Sequence, residues 1–143
     1  MSLHGWNVKR ASDTAGARRR RALFEEALSL IEVSYHDDRL TVDDLSDRIF
    51  SSRRQLQRAF AEAGTSVQEC LHAVRMRRAA ELLHESSLPV AEVAHSVGYR
   101  QPPQFAKAFR RQYALTPSQW RSLRSLEDQF EEREALEELA VPA

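Results

Sequence analysis

A single cysteine, Cys70, in 143 residues excludes a disulfide framework and a cysteine-built zinc site, and it suits a reducing interior. No apolar run approaches the roughly 20 residues needed to span a bilayer. The opening stretch, residues 1 to 10, has no apolar segment of the secretory kind. Five histidines (His4, His36, His72, His84 and His95) share no metal-ligand spacing, so they are read as surface or packing residues and neither a metal nor another cofactor is expected. Cys70 itself is read as a small core residue. No glycine-rich phosphate loop, nucleophile elbow or paired catalytic carboxylates stand in a supporting context, which leaves an enzyme reading without a basis. With 42% hydrophobic residues the chain can bury one helical core, or two small ones sharing a linker, but not two large domains.

Net charge is also missing, at 21 basic against 21 acidic side chains, yet the neutrality is not uniform. Residues 1 to 38 balance, residues 39 to 124 carry an excess of six positive charges, and residues 125 to 143 carry an excess of six negative ones. The basic excess coincides with an internal repeat. Leu56-Gln57-Arg58-Ala59-Phe60 and Phe105-Ala106-Lys107-Ala108-Phe109 share an apolar, any, basic, alanine, phenylalanine pattern. Upstream, Leu45 and Ile49 match Val93 and Val97; downstream, Gly64 and Ser66 match Ala114 and Thr116. A repeat of this length is a duplicated supersecondary unit. Each copy has the form of a helix, a tight turn and a second helix with one apolar and one basic face, the pattern of a DNA-reading helix-turn-helix. Lys and Arg concentrated on the repeat are what phosphate binding needs, because duplex affinity comes largely from displaced counterions.

Capping residues divide the chain into an all-α protein of about seven helices. Residues 1 to 17 lack periodicity and are expected to form a mobile arm. A helix from about Arg18 to Tyr35 has Leu23, Ala27, Leu30, Ile31 and Val33 as its apolar stripe. Thr41 with Asp44, Ser52 with Gln55, and Ser66 with Glu69 resemble capping boxes. They open a short helix through Ile49, a helix ended by Gly64, and a long linker helix to about Glu85. Pro89, Pro102-Pro103 and Thr116-Pro117 open the remaining three. The first helix-turn-helix is thus expected at about 41–64, the linker helix at 66–85 and the second helix-turn-helix at about 89–114, with an acidic helical tail over 125–143. A loose stripe of Leu123, Leu126, Phe130, Leu136 and Leu139 carries the last helix to about Leu139.

Several of these segments resemble the DNA-binding domain of AraC/XylS-type transcription regulators. They are the Leu40–Ile49 stretch, the Ser52–Phe60 helix, Arg75–Leu83 and Val90–Ala94. The strongest likeness lies in Val97-Gly-Tyr-Arg-Gln-Pro-Pro-Gln-Phe-Ala-Lys-Ala-Phe109 followed by Thr116-Pro117 and Arg121. The resemblance covers roughly residues 20 to 122. It implies two helix-turn-helix subdomains joined by one long helix, each presenting a recognition helix to one side of a duplex. It further implies transcriptional control, most often activation through RNA polymerase, in the cytoplasm and in association with the nucleoid. About 38 residues precede the motif, too few for a sensor domain; the chain is expected to be a small single-domain member of the MarA/SoxS kind or an excised C-terminal domain, with no small-molecule site. Three departures stand out: Ala114 where a glycine is usual, Ala106 where a serine is common, and Pro102-Pro103 where polar residues are frequent.

Helical geometry selects the outward side chains. In the first recognition helix Leu56, Ala59, Phe60 and Ala63 point inward, leaving Arg53, Arg54, Gln57, Arg58 and Ala61 outward. Arg54, Gln57 and Arg58 are expected to read bases, since Arg pairs bidentately with guanine and Gln with adenine, while Arg53 is expected to take a phosphate. In the second, Phe105, Ala108, Phe109 and Tyr113 point inward and Gln104, Lys107 and Arg111 outward, with Arg100 at the turn. The resemblance places contacts at Gln101, Gln104 and Lys107. The competing reading is a helical protein-protein interaction module whose basic faces are merely solvated.

Overall fold

The computed structural model describes the backbone of residues 3 to 140 and the side chains of residues 15 to 140. These residues form seven α-helices and no strand: α1 (Leu3–Ser34), α2 (Val42–Arg48), α3 (Arg53–Glu62), α4 (Val67–Glu85), α5 (Val90–Ser96), α6 (Pro102–Tyr113) and α7 (Pro117–Ala140). The chain divides into two compact units, Met1–Val74 and Arg75–Ala143, and the division falls inside α4. The all-helical, twice-repeated architecture expected from the sequence is the one observed.

α1 starts at Leu3, where the sequence reading has an arm up to residue 17 and a helix only from about Arg18. No proline occurs before Pro89. Ala11, Ala15, Ala17 and the Arg18–Arg21 run are good helix formers, so Gly16, at a cost of about 1 kcal/mol, does not end the helix. Residues 1 and 2, and the side chains up to Thr14, lie outside the described part of that expected arm.

The first unit packs α1, α2, α3 and the start of α4 around Ala27, Ile31, Leu40, Leu45, Leu56, Phe60, Val67, Leu71 and Val74. Phe24 meets Phe60 edge to face at 4.8 Å. One stripe residue differs from expectation: Val33 is 66% exposed, and Ser34 is buried in its place. Val33 lies six residues after Ala27, far round the helix from the Ala27/Ile31 line, whereas Ser34 continues that line at i+3 from Ile31. Burial of Ser34 is made tolerable by a partner, since its hydroxyl accepts a hydrogen bond from Arg48 Nη1 at 3.1 Å. Ala63, expected inward, is exposed because it is the C-cap of α3 and sits at the turn.

In the second unit Met76, Ala79, Ala80 and Leu83 of α4, Val93 and Ala94 of α5, Val97, and Phe105 and Phe109 of α6 are buried. A run of ring contacts continues the core from Tyr99 to Phe105 (5.6 Å), Phe109 (5.8 Å), Tyr113 (4.8 Å) and Trp120 (4.8 Å). Trp120 donates its Nε1–H to Ala80 O at 3.2 Å, so its polar edge is satisfied where the ring is packed. Arg121 donates from Nε to Leu83 O at 3.0 Å and from Nη2 to Leu88 O at 2.6 Å. One guanidinium therefore ties α7 both to an unpaired carbonyl in the last turn of α4 and to the segment leading into α5.

Candidate nucleic-acid interface

Each unit contains a helix, a short corner and a second helix, the corner being four residues long in the first unit and five in the second, and the two corners are closed by the same bonds. In the first, Phe50 N donates to Asp47 O at 3.3 Å and Ser51 N to Ser46 O at 2.9 Å; in the second, Gly98 N donates to His95 O at 3.2 Å and Tyr99 N to Ala94 O at 2.9 Å. This pair of bonds requires a left-handed residue just past the helix. Gly98 supplies it at φ +95°, and Phe50 is forced into it at φ +52°. The second helices end in the same left-handed way, on Gly64 at φ +80° and on Ala114 at φ +62°. The chain does turn left-handed at Ala114, so the alanine standing at that cap is strained.

The α3 N-terminus is held by a reciprocal box. Ser52 Oγ accepts from Gln55 N at 3.1 Å and Gln55 Oε1 accepts from Ser52 N at 3.0 Å. Gln55 is thereby committed to the cap. α2 begins with the same arrangement of Thr41 and Asp44, at 3.0 and 3.1 Å. The Thr41 amide, which donates to Asp44 Oδ2, and then the Thr41 side chain hold the Asp44 carboxyl below its ordinary pKa, with Arg48 adding to the effect. Both helices that flank the first corner thus begin with a reciprocal capping box.

Beyond that frame, Leu56, Ala59 and Phe60 face the core and Arg54, Gln57, Arg58 and Ala61 form an exposed stripe on the opposite side. Arg54, Gln57 and Arg58 make no side-chain hydrogen bond or ion pair among the described residues. Arg53 is exposed at the flank of the stripe, with Nη1 3.7 Å from Asp43 Oδ2, a contact too open to water to hold it. On α6, Phe105 and Phe109 are fully buried while Gln104, Lys107 and Arg111 are exposed. Ala108 and Tyr113, expected inward, are half-buried. Gln101 is the N-cap of α6 and makes no side-chain capping bond, which leaves its amide available. Arg100 is exposed at the corner. Pro102 and Pro103 occupy the first turn, where amides lack intrahelical partners in any case.

The residues singled out in the sequence therefore fall into two groups, one on α3 and one on and just before α6. Sequence reasoning passed over two further basic groups. Arg110 is exposed on α6 beside Arg111, and Arg18, Arg19 and Arg21 are exposed on α1. The residue pattern offered a signal for both, an unbroken basic run in α1 and a basic doublet in α6. Tyr99, packed behind the α6 corner, has its phenol pKa pushed up by burial, with Arg75 opposing; the Arg75 guanidinium lies 5.9 Å from the Tyr99 ring centre. Chemically, each exposed stripe offers planar bidentate donors or amides on a rigid helix, suited to base edges in a major groove. Among the described residues no three His, Cys, Asp or Glu side chains come together as a metal site, and no helix is long and apolar enough to cross a membrane.

A helix-turn-helix domain family matches residues 45–123 of the chain. A transcriptional regulator of Neisseria gonorrhoeae, MtrA, is 36% identical over 86 residues, covering 59% of this chain and 29% of that protein. The chain thus spans about a third of the length of the curated regulators it matches. Among solved structures, an AraC-type DNA-binding regulator from Chromobacterium violaceum superposes with a TM-score of 0.68 at 30% identity, over 77% of this chain and 96% of that one. The DNA-binding domain of AdpA, a global transcriptional factor solved in complex with a target DNA, superposes with a TM-score of 0.65 at 30% identity, over 70% and 90% of the two chains.

Proposed function

The chain belongs to the AraC-type helix-turn-helix family of DNA-binding transcription regulators, and from that premise we propose that α3 and α6 act as two readers of one bipartite promoter site. Each reader enters a major groove, the two half-sites lying about one helical turn, roughly 34 Å, apart. Arg54, Gln57 and Arg58 contact base edges from α3, with Arg53 on a phosphate. Gln101, Gln104 and Lys107 contact bases or backbone from α6, supported by Arg100 and Arg111. The observation that carries this reading is the exposed Arg54/Gln57/Arg58 stripe, unpaired among the described residues and backed by the buried Leu56/Ala59/Phe60 line that fixes its orientation. Side chains so placed and so little engaged within the protein retain their hydrogen-bonding capacity for a partner.

Both readers belong to one chain, so a single copy recognises an asymmetric site. The regulatory outcome is activation through contact with RNA polymerase at the promoter, and the protein works where its DNA is, at the nucleoid in the cytoplasm. Selection of bound duplexes from a random library at about physiological salt tests the reading. Two enriched motifs about 10 base pairs apart are expected. Arg54→Ala should relax the preference at one position by about 1 to 3 kcal/mol, whereas Lys107→Ala should lower affinity and salt dependence. No enrichment, with binding insensitive to salt, would favour the protein-interaction module instead.

A further inference from the structure

Phe50 is, with Ala114, one of two places where the repeat puts a side chain on a left-handed corner that its other copy gives to glycine. Its counterpart in the second unit is Gly98, closed by the same two backbone bonds. A glycine adopts that corner freely, whereas a bulky side chain at φ +52° is strained. The phenyl ring gains nothing in return from its own unit, because Phe50 is 99% exposed. Local backbone and local burial thus both disfavour phenylalanine here.

What surrounds the ring is basic. Phe50 lines an open groove of about 380 Å³ together with Arg19 and Leu23 of α1, Ser51 at the corner, and Gln55 and Arg58 of α3. Among the described residues no acidic side chain lines it. Arg19 and Arg58 are exposed and make no ion pair among the described residues. Arg20, also on this wall, is engaged with Glu62 at 2.5 Å. The groove therefore selects an anionic partner that also has an apolar face. Arg58 belongs at once to this groove and to the exposed stripe of α3, so the groove continues the surface on which the first reader meets its duplex.

We propose that Phe50 and Arg19 form a second contact with that duplex: Arg19 neutralises a phosphate beside the first half-site, and the Phe50 ring lies against the adjoining deoxyribose or groove edge. This rests on the reading of α3 as a recognition helix. It extends the interface of the first unit from one helix to a helix, its preceding corner and α1. A duplex backbone fits better than an acidic protein because it alternates charged phosphates with apolar sugars at a spacing of a few ångströms, as the arginines alternate with the ring.

The test measures affinity for a selected duplex by fluorescence anisotropy, using the full chain and its Phe50→Gly, Phe50→Tyr and Arg19→Ala variants. Phe50→Gly should melt at a higher temperature than the parent, because the corner relaxes, and should bind about five- to tenfold more weakly, the low end for aromatic contacts to nucleic acid. The base preferences of the first half-site should be unchanged. Phe50→Tyr should bind within about twofold of the parent, since a planar ring is kept, and Arg19→Ala should reduce the slope of log affinity against log salt by about one. Phe50→Gly binding as tightly as the parent would overturn the proposal. If that variant also lost transcription from the same promoter in a reconstituted system, the ring would belong to a protein partner. A parent that binds no duplex at all overturns the reading of α3 and this proposal together, whereas a parent that binds with an indifferent Phe50 overturns the proposal alone.

Discussion

Replacing Ala114 by glycine should stabilise the protein. Ala114 sits at φ +62°, ψ 6°, and is solvent-exposed, so its methyl group contributes little burial to offset the strain. The left-handed region costs an L-residue about 1 to 2 kcal/mol, and the extra freedom of glycine in the unfolded chain returns about 0.4 to 1 kcal/mol of that. The net gain for Ala114→Gly is about 0.5 to 1 kcal/mol, equivalent to about 2 to 4 °C in a chain of this size. Gly64 provides the mirror experiment. It has φ +80°, and a Cβ built there meets no heavy atom within 4 Å. Gly64→Ala therefore tests the backbone alone, and should lose what Ala114→Gly gains. Urea unfolding followed by the helical circular-dichroism signal reads both, as opposite shifts of the midpoint at constant slope. An Ala114→Gly variant no more stable than the parent, alongside a Gly64→Ala variant equally indifferent, would refute the argument that these corners are strained.

Arg121→Ala should lower stability by about 2 kcal/mol, since one of its two charge-assisted bonds is part-buried and the other open to water; Arg121→Lys should recover no more than part of this in the same urea assay. Ser52→Ala should cost about 1 kcal/mol through loss of the α3 cap, and duplex affinity should fall further than stability alone predicts, because Arg53 and Arg54 stand in the frayed turn. Burial raises the folded-state pKa of Tyr99 and of Tyr113 above 10.0. Their contribution to stability is complete below pH 10 and is lost as pH rises through the raised values, so thermal scans between pH 9 and 12 should show a decline that Tyr99→Phe reduces. The Asp44 carboxyl, held below 3.8, should titrate below that value in a carbon-13 shift experiment, and the stability it supplies should persist above 3.8 and fade as pH falls through its folded value.

Capping boxes and the internal repeat made most of the fold legible in the sequence. Ser52 and Gln55, Thr41 and Asp44, and Ser66 and Glu69 pair a side chain with an amide three residues away, so their signal is local and survives in a linear reading. The exposed stripes of α3 and α6 were legible for a similar reason, since helical periodicity assigns a face to every residue once one buried position is known. Arg121 was not legible as a structural tie. Its acceptors are backbone carbonyls 38 and 33 residues earlier, and a carbonyl leaves no mark in a residue pattern. Ser34 in place of Val33 is a similar case, because a buried hydroxyl is acceptable only once Arg48 arrives from α2.

By itself the sequence determined the class of the fold, the two helix-turn-helix repeats and the basic outward faces, because caps, periodicity and charge are properties of neighbouring residues. Only the tertiary structure decided that Phe50 and Ala114 stand in left-handed corners, that Arg121 ties α7 to α4, and that Arg19, Phe50 and Arg58 line one groove. Those outcomes depend on where distant backbone comes to rest, which is set by packing of whole helices around Ile31, Leu56 and Phe60 in one unit and around Phe105 and Phe109 in the other.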